Sequence, residues 1–342
     1  MNEHPYDRLT PDMVIAAVES TDRLCDMRLL ALNSYENRVY QVGLDEGEPL
    51  IAKFYRPERW TDDQILEEHS FSRELIEADI SVVAPLVEAD GESLHSFEGF
   101  RFALVPRRGG YPPELDNYDN LLVLGRTLGR IHAVGRSDNF QHRQQISVER
   151  MLTDSREYLL EHFIPEPLQP AYDTLTADLS QKCHALFSEL EPGDFIRVHG
   201  DCHVGNILWR DDVAHFVDLD DCCSAPAIQD LWMFLNGERH ERQLQLAELI
   251  EGYSEFCDFQ PRQLRWVELL RTLRLIHYAA WLVRRWDDPA FPRRFRWFIC
   301  VRYLADLILD LREQMAAVDE PPLDVLCARG AGRWLVQRPQ PA

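Results

Sequence analysis

Three side chains carry the spacing that phosphoryl transfer needs. Asp201 stands in His199-Gly200-Asp201-Cys202-His203, Asn206 follows five residues on, and Asp218 comes twelve residues later in Phe216-Val217-Asp218-Leu219-Asp220-Asp221. A carboxylate within reach of a hydroxyl can align it and take its proton as it attacks phosphorus. An amide oxygen and a further carboxylate are hard ligands of the kind Mg²⁺ takes beside phosphate and water. Asp201 is therefore the candidate base, and Asn206 and Asp218 are the candidate metal ligands. Singly, each also reads as a turn former; the joint spacing favours chemistry.

The neighbours are more open. If the apolar run His215–Leu219 is a strand, alternation puts Asp220 on the same side as Asp218, as a second ligand or an electrostatic neighbour. His199 is expected to prop the loop, while His203 lies between base and metal ligand and reads as a phosphate contact or a structural residue. Asp230 is a candidate brace that accepts N–H bonds for the catalytic loop, or a plain helix carboxylate. Cys202, Cys222 and Cys223 flank these residues but fit no C-x₂-C spacing, so zinc is not expected; a thiol beside the base raises the question of oxidant sensitivity.

Phosphates also need a cation. The chain has a net charge of -22, so a nucleotide must find local positive charge. Lys53, in Ile51-Ala52-Lys53, ends an apolar strand where lysine rarely turns inward without a partner. Glu68 is the natural partner, and the pair would aim an ammonium at the α- and β-phosphates. Leu32–Tyr40 stands where a glycine-rich nucleotide loop would lie but has no glycine; Ser34 and Asn37 are its candidate phosphate contacts.

The elements that position these groups have two textures. Before residue 106 there are β-type runs at 38–42, 50–55 and 100–105, which imply a small antiparallel sheet. One helix interrupts them: Thr61 and Gln64 fit a capping box, and Ile65, Glu68, Ser72 and Leu75 share a face up to about Glu77. Pro106–Pro113 is breaker-rich and reads as a linker. Helical patterns follow at 117–135, 149–162, 170–190, 226–256, 261–286 and 296–317, interrupted by strand-like pieces at 195–198, 207–209 and 215–219. The expected fold class is α+β with two lobes: a β-rich N-lobe over 1–106, a mainly helical C-lobe over 107–330, and a tail at 331–342.

Composition narrows the partners. A 342-residue chain with 45% apolar residues has ample core, and its acidity argues against nucleic-acid or anionic-membrane binding. No basic-then-apolar leader opens the sequence, and Leu269–Trp286 is broken by four arginines, so a cytoplasmic protein with no membrane partner is expected. Eight cysteines without framework spacing fit reduced thiols.

The His-Gly-Asp-x-His-x-x-Asn loop with its following Asp218 resembles the aminoglycoside phosphotransferase and choline kinase superfamily, relatives of protein kinases. Leu32–Gln41, Lys53-Phe54-Tyr55-Arg56-Pro57-Glu58-Arg59-Trp60-Thr61, Asp63–His69, Gly205–Asp211 and Gln229–Met233 resemble its bacterial stress response kinase A branch over nearly the whole chain. The resemblance implies a two-lobed protein-kinase-like fold and transfer of the ATP γ-phosphate to serine or threonine of proteins, itself included; a role in a stress response and a monomeric state are expected. It implies Asp201 as proton acceptor, Asp218 as an active-site residue, Asn206 and Asp218 as Mg²⁺ ligands, and Ser34 as an ATP contact. Two rivals share the constellation. One is a small-molecule kinase, for which Trp281, Trp286, Asp287 and Asp288 offer aromatic and acidic walls. The other is a pseudokinase scaffold, against which the complete set Lys53, Glu68, Asp201, Asn206 and Asp218 speaks.

Overall fold

The computed structural model describes residues 6–32, 34–298 and 300–324. It divides into two compact units, and the division does not follow chain order. The first unit draws its described residues from 1–114, 140–143 and 201–222, the second from 115–139, 144–200 and 223–342. Asp201, Asn206 and Asp218 thus belong to the same unit as Lys53 and Glu68.

The first unit holds helix α1 (Pro11–Glu19), strands β1 (Cys25–Ala31), β2 (Arg38–Leu44) and β3 (Leu50–Phe54), helix α2 (Asp62–Glu77), and strands β4 (His95–Phe97) and β5 (Phe100–Pro106). The strands form one antiparallel sheet in the order β1-β2-β3-β5-β4. The three expected strands are all present. Helix α1 and strands β1 and β4 are additions that the sequence reading did not foresee. Strand β1 escapes a period-2 pattern because Met27 has a positive φ of 67° and the register with β2 shifts between Cys25 and Leu29.

Alternation along β3 decides where Lys53 points. Ala52 and Phe54 join Val42, Phe102 and Leu104 in a core packed on Val14, Ala17 and Val18 of α1. Lys53 therefore faces the other side, the side of α2, opposite Ala103 on β5. A small residue at that register position leaves room for a long side chain. Helix α2 begins with the expected capping box: Gln64 N–H donates to Thr61 Oγ1 at 3.3 Å, and Thr61 N–H donates to Gln64 Oε1 at 3.0 Å. Its buried face includes Ile65, Glu68, Phe71, Ser72 and Leu75.

A hairpin, Ile207–Arg210 with Val213–Phe216, completes this unit. Its turn residues Asp211 and Asp212 both have positive φ, as a type I′ two-residue hairpin loop requires. The breaker-rich segment before it is tied down, since Tyr111 and Trp209 exchange backbone hydrogen bonds at 2.8 and 3.2 Å.

In the second unit the principal helices are α3 (Tyr118–Gly135), α4 (Asp154–His162), α5 (Gln169–Phe187), α6 (Ile228–Leu231), α7 (Arg239–Tyr253), α8 (Val267–Arg284), α9 (Ala290–Arg294) and α10 (Val301–Asp319). The pattern at 226–256 is not one helix. It breaks after α6 and a 3₁₀ turn at Trp232–Phe234; Gly237 follows at φ 79°, and Glu238 and Glu241 form a new capping box. Short strands Ile196–Val198 and Cys223–Ala225 pair antiparallel. The expected tail at 331–342 lies outside the described residues. No described helix is long and apolar enough to cross a membrane.

Candidate active site

The loop after Ile196–Val198 begins with Gly200 at φ 85°, a left-handed turn that a Cβ would strain. Asp230 of α6 fixes its entry. One carboxylate oxygen accepts the N–H of His199 at 2.8 Å and the other that of Gly200 at 2.9 Å. His132 of α3 donates to Asp230 at 2.9 Å, and Tyr253 meets the other imidazole nitrogen of His132 at 3.1 Å. Asp230 and His132 are fully buried. The bracing role expected for Asp230 is present.

Asp201 follows, and the loop closes on its backbone. Its carbonyl accepts the N–H of His203 at 3.0 Å and the side-chain amide of Asn206 at 3.0 Å. His203 Nδ1 accepts the Gly205 N–H at 2.9 Å, which leaves Nε2 as the protonated nitrogen, 3.5 Å from the Asp201 carboxylate. A Cβ on Gly205 would stand 2.7 Å from the His203 ring, so a side chain there would displace that ring. The Asn206 amide nitrogen is thus occupied by the loop, and its amide oxygen remains the donor atom suited to a cation.

The Asn206 carbonyl accepts the Val217 N–H at 3.0 Å, so Asp218 leaves from the same end of the hairpin as Asn206. Here the sequence reading needs correction. The strand stops at Phe216, Asp218 is left-handed with φ 59° and ψ 61°, and Leu219–Asp221 form a 3₁₀ turn. Strand alternation therefore does not relate Asp218 to Asp220. The turn does: Asp218 and Asp220 both reach Lys53, whose Nζ lies 3.2 Å from the former, 3.1 Å from the latter and 3.5 Å from Glu68.

One ammonium thus faces three carboxylates. Burial works against the charge on Lys53, but Asp220, Glu68 and Asp218 together overcome it and hold its pKa well above the ordinary lysine value. For Asp220, burial alone would favour the neutral acid; Lys53, Arg59 and Arg143 outweigh that and keep it ionised far below the usual range. Glu68 shows the reverse balance: burial, reinforced by the charges of Asp220 and Asp218, raises its pKa despite Lys53. Glu68 is the expected partner of Lys53, but Asp220 is its nearer and more firmly ionised one.

Asn37 and Ser34 sit at the loop before β2. Asn37 is buried, and its Oδ1 accepts the Arg56 N–H at 3.1 Å. Ser34 Oγ donates to the Asn37 carbonyl at 3.1 Å. Arg59 and Arg143, which the sequence reading did not place in the site, both reach the turn after Asp218. Arg59 pairs with Asp220 and, at 2.6 Å, with Asp221. Cys202 and Cys222 are buried, and Cys223 is partly exposed.

The donor set fits a divalent cation. Glu68 Oε2 is buried without a hydrogen-bond partner among the described residues, and Asp218 is half-exposed. Among the described residues no three His, Cys, Asp or Glu side chains are gathered to cage a metal. An amide and a carboxylate are the kind of incomplete set that Mg²⁺ takes when phosphate and water supply the rest.

Residues 28–270 match the model of the phosphotransferase enzyme family. Stress response kinase A of Escherichia coli strain K12 is 43% identical over 323 residues, 94% of this chain and 97% of its own length. The chain belongs to this phosphotransferase family, in its stress response kinase A branch. A second relative in the branch, serine/threonine protein kinase RdoA of Salmonella typhimurium strain LT2, is 40% identical over 329 residues, 95% of this chain and 98% of its own. Among solved structures, amicoumacin kinase hAmiN, bound to AMP-PNP, Ca²⁺ and Ami, superposes with TM-score 0.73 at 20% identity, over 93% of this chain and 95% of its own. A microcompartment-associated aminopropanol kinase gives TM-score 0.68 at 18% identity, over 89% and 98%. The fold is thus that of the aminoglycoside phosphotransferase and choline kinase superfamily, and the protein is a kinase.

Proposed function

We propose that this member of the branch transfers the ATP γ-phosphate, with Mg²⁺, to serine or threonine hydroxyls of proteins, including its own, acting as a monomer in a stress response. The observation that carries the acceptor assignment is the near-full-length likeness, at 40%, to a relative named a serine/threonine protein kinase. The reaction class rests on the gathering of Lys53, Glu68, Asp201, Asn206 and Asp218 in one compact unit.

In this reading the Asp201 carboxylate receives a hydrogen bond from the acceptor hydroxyl and accepts its proton as the new O–P bond forms and the bond from the γ-phosphorus to the β-bridging oxygen of ADP breaks. His203 Nε2 lies 3.5 Å from that carboxylate and can orient it. Lys53 binds phosphate oxygens, held by Asp220 and Glu68. Asn206 and Asp218 are the residues that would hold Mg²⁺, which when bound supplies charge neutralisation at the phosphates. Ser34 and the loop it closes would lie over the nucleotide.

A small-molecule acceptor is the second reading, favoured by the fold likeness to amicoumacin and aminopropanol kinases. Two of the four walls proposed for such an acceptor, Asp288 and Trp281, are engaged within the protein. Asp288 is buried and accepts the Ala290 N–H at 3.0 Å, and Trp281 packs on Tyr278, Phe291 and Phe295. That removes two of the four side chains that favoured a small-molecule acceptor.

The test is labelled ATP with the purified protein, alone, with a generic basic protein, and with amino alcohols and aminoglycosides. Label recovered as phosphoserine or phosphothreonine is expected. Label only on the small molecules would replace the first reading by the second.

A further inference from the structure

We propose that Arg59 is a positioning residue: with Arg143, which shares the Trp60 ring with it, it fastens the Asp218 turn in its left-handed form. The proposal rests on the reading of Asp218 as a metal ligand. Asp218 is a non-glycine residue at φ 59°, a conformation that persists only where the surroundings fix it. The next two acidic residues, Asp220 and Asp221, would repel one another and Asp218 if left unpaired.

Arg59 answers both. One guanidinium nitrogen donates to Asp220 and the other to Asp221, so a single fork spans the turn. Arg143 grips the same turn by its backbone, donating to the carbonyls of Asp220 and, at 2.9 Å, of Cys222. The guanidinium carbons of Arg59 and Arg143 lie 4.9 and 4.2 Å from the Trp60 ring centroid, a shared cation–π support. Arg143 is itself presented by α2: Glu67 accepts the backbone N–H groups of Gln141, His142 and Arg143.

Adjacent carboxylates of α2 therefore serve one turn, Glu68 through Lys53 and Glu67 through Arg143. The Arg56–Trp60 segment also reaches the loop before β2, because Arg56 Nε lies 3.0 Å from Glu36. The metal-ligand turn is held by groups built into the chain. Between Asp218 and Asp230 the sequence offers a single hydroxyl, Ser224, so phosphorylation of an activation loop has little to act on.

The test compares Arg59→Gln and Arg59→Lys with the parent. Hydrogen exchange of the 217–224 amides is measured without nucleotide, and Mg·AMP-PNP binding by calorimetry. Arg59→Gln is expected to speed turn exchange about tenfold or more and to weaken Mg·AMP-PNP by at least about tenfold. Arg59→Lys, which keeps charge but not the fork, is expected to restore part of both. Wild-type exchange and binding in Arg59→Gln, or a lysine variant as impaired as the glutamine one, overturns the proposal. If Arg59→Gln does not fold, Asp221→Asn, which removes the more exposed arm, is read the same way. Asp218→Asn separates the two readings. Retained Mg·AMP-PNP binding there defeats the ligand assignment; binding lost there but intact in Arg59→Gln defeats the positioning proposal alone.

Discussion

The Lys53 ammonium lies closer to Asp220, at 3.1 Å, than to Glu68, at 3.5 Å. Asp220 is also the carboxylate shared with Arg59, so it is the node of the charge network and Glu68 is a flank. Removing one member of a buried ion pair costs about 3–5 kcal/mol. Asp220→Asn, which strips the charge both cations face, is expected near that range. Glu68→Gln leaves Lys53 paired with Asp218 and Asp220 and is expected to cost about 1 kcal/mol or less. Urea unfolding of the two variants measures the difference; equal losses, or the reverse order, would contradict the ranking.

The second prediction concerns Asp230, which holds His199 and Gly200 from below the loop. An amide at this position would turn a donor toward a backbone N–H. With hydrogen bonds to a charged group contributing about 1.5–3 kcal/mol each, Asp230→Asn is expected to lose about 2–3 kcal/mol of stability and to lower kcat. His132→Gln should act on the same node, so the double variant should lose less than the sum of the singles. Thermal unfolding and turnover of the cycle check this; strict additivity would mean that the His132–Asp230 contact carries no coupling.

His69 provides a pH signature. It is buried between Tyr55 Oη at 2.7 Å and Ser93 Oγ at 2.8 Å. Burial, aided by the nearby Lys53, pushes its pKa down to about 3. An unfolded histidine titrates at roughly 6.5. Between these values the unfolded chain binds the proton and the folded one does not, so the contribution is fully present above about pH 6.5 and shrinks as pH falls toward 3. The slope approaches about 1.4 kcal/mol per pH unit for one full proton. In urea titrations from pH 7.5 to 5, His69→Gln should show a shallower fall in stability than the parent; parallel curves would exclude this origin.

Local chemistry was legible in the sequence where neighbours in the chain create it. The Thr61–Gln64 capping box, the inward face of α2 with Glu68, and the Asp201–Asn206 loop all depend on spacings of a few residues, and each is where those spacings place it. What escaped depends on distant partners. Arg59 meets Asp220 and Asp221 across more than 160 residues, and Arg143 meets the carbonyls of Asp220 and Cys222 across nearly 80. Such pairs leave no periodic trace. The strand expected through Asp218 stops at Phe216 and Asp218 is left-handed, and apolar alternation carries no sign of φ. The break near Gly237 was readable in principle from Asn236-Gly237, a turn dipeptide that the helical periodicity on either side outweighed.

The most direct measurement of the central claim is the turnover of Asp201→Asn on protein serine or threonine, set beside its affinity for Mg·AMP-PNP. A general base contributes about 10²–10⁴-fold, so kcat is expected to fall by that factor. Nucleotide affinity should stay within about threefold of the parent, because the residue acts on the acceptor. Wild-type turnover in Asp201→Asn would contradict the assignment of Asp201 as the base and the mechanism built on it.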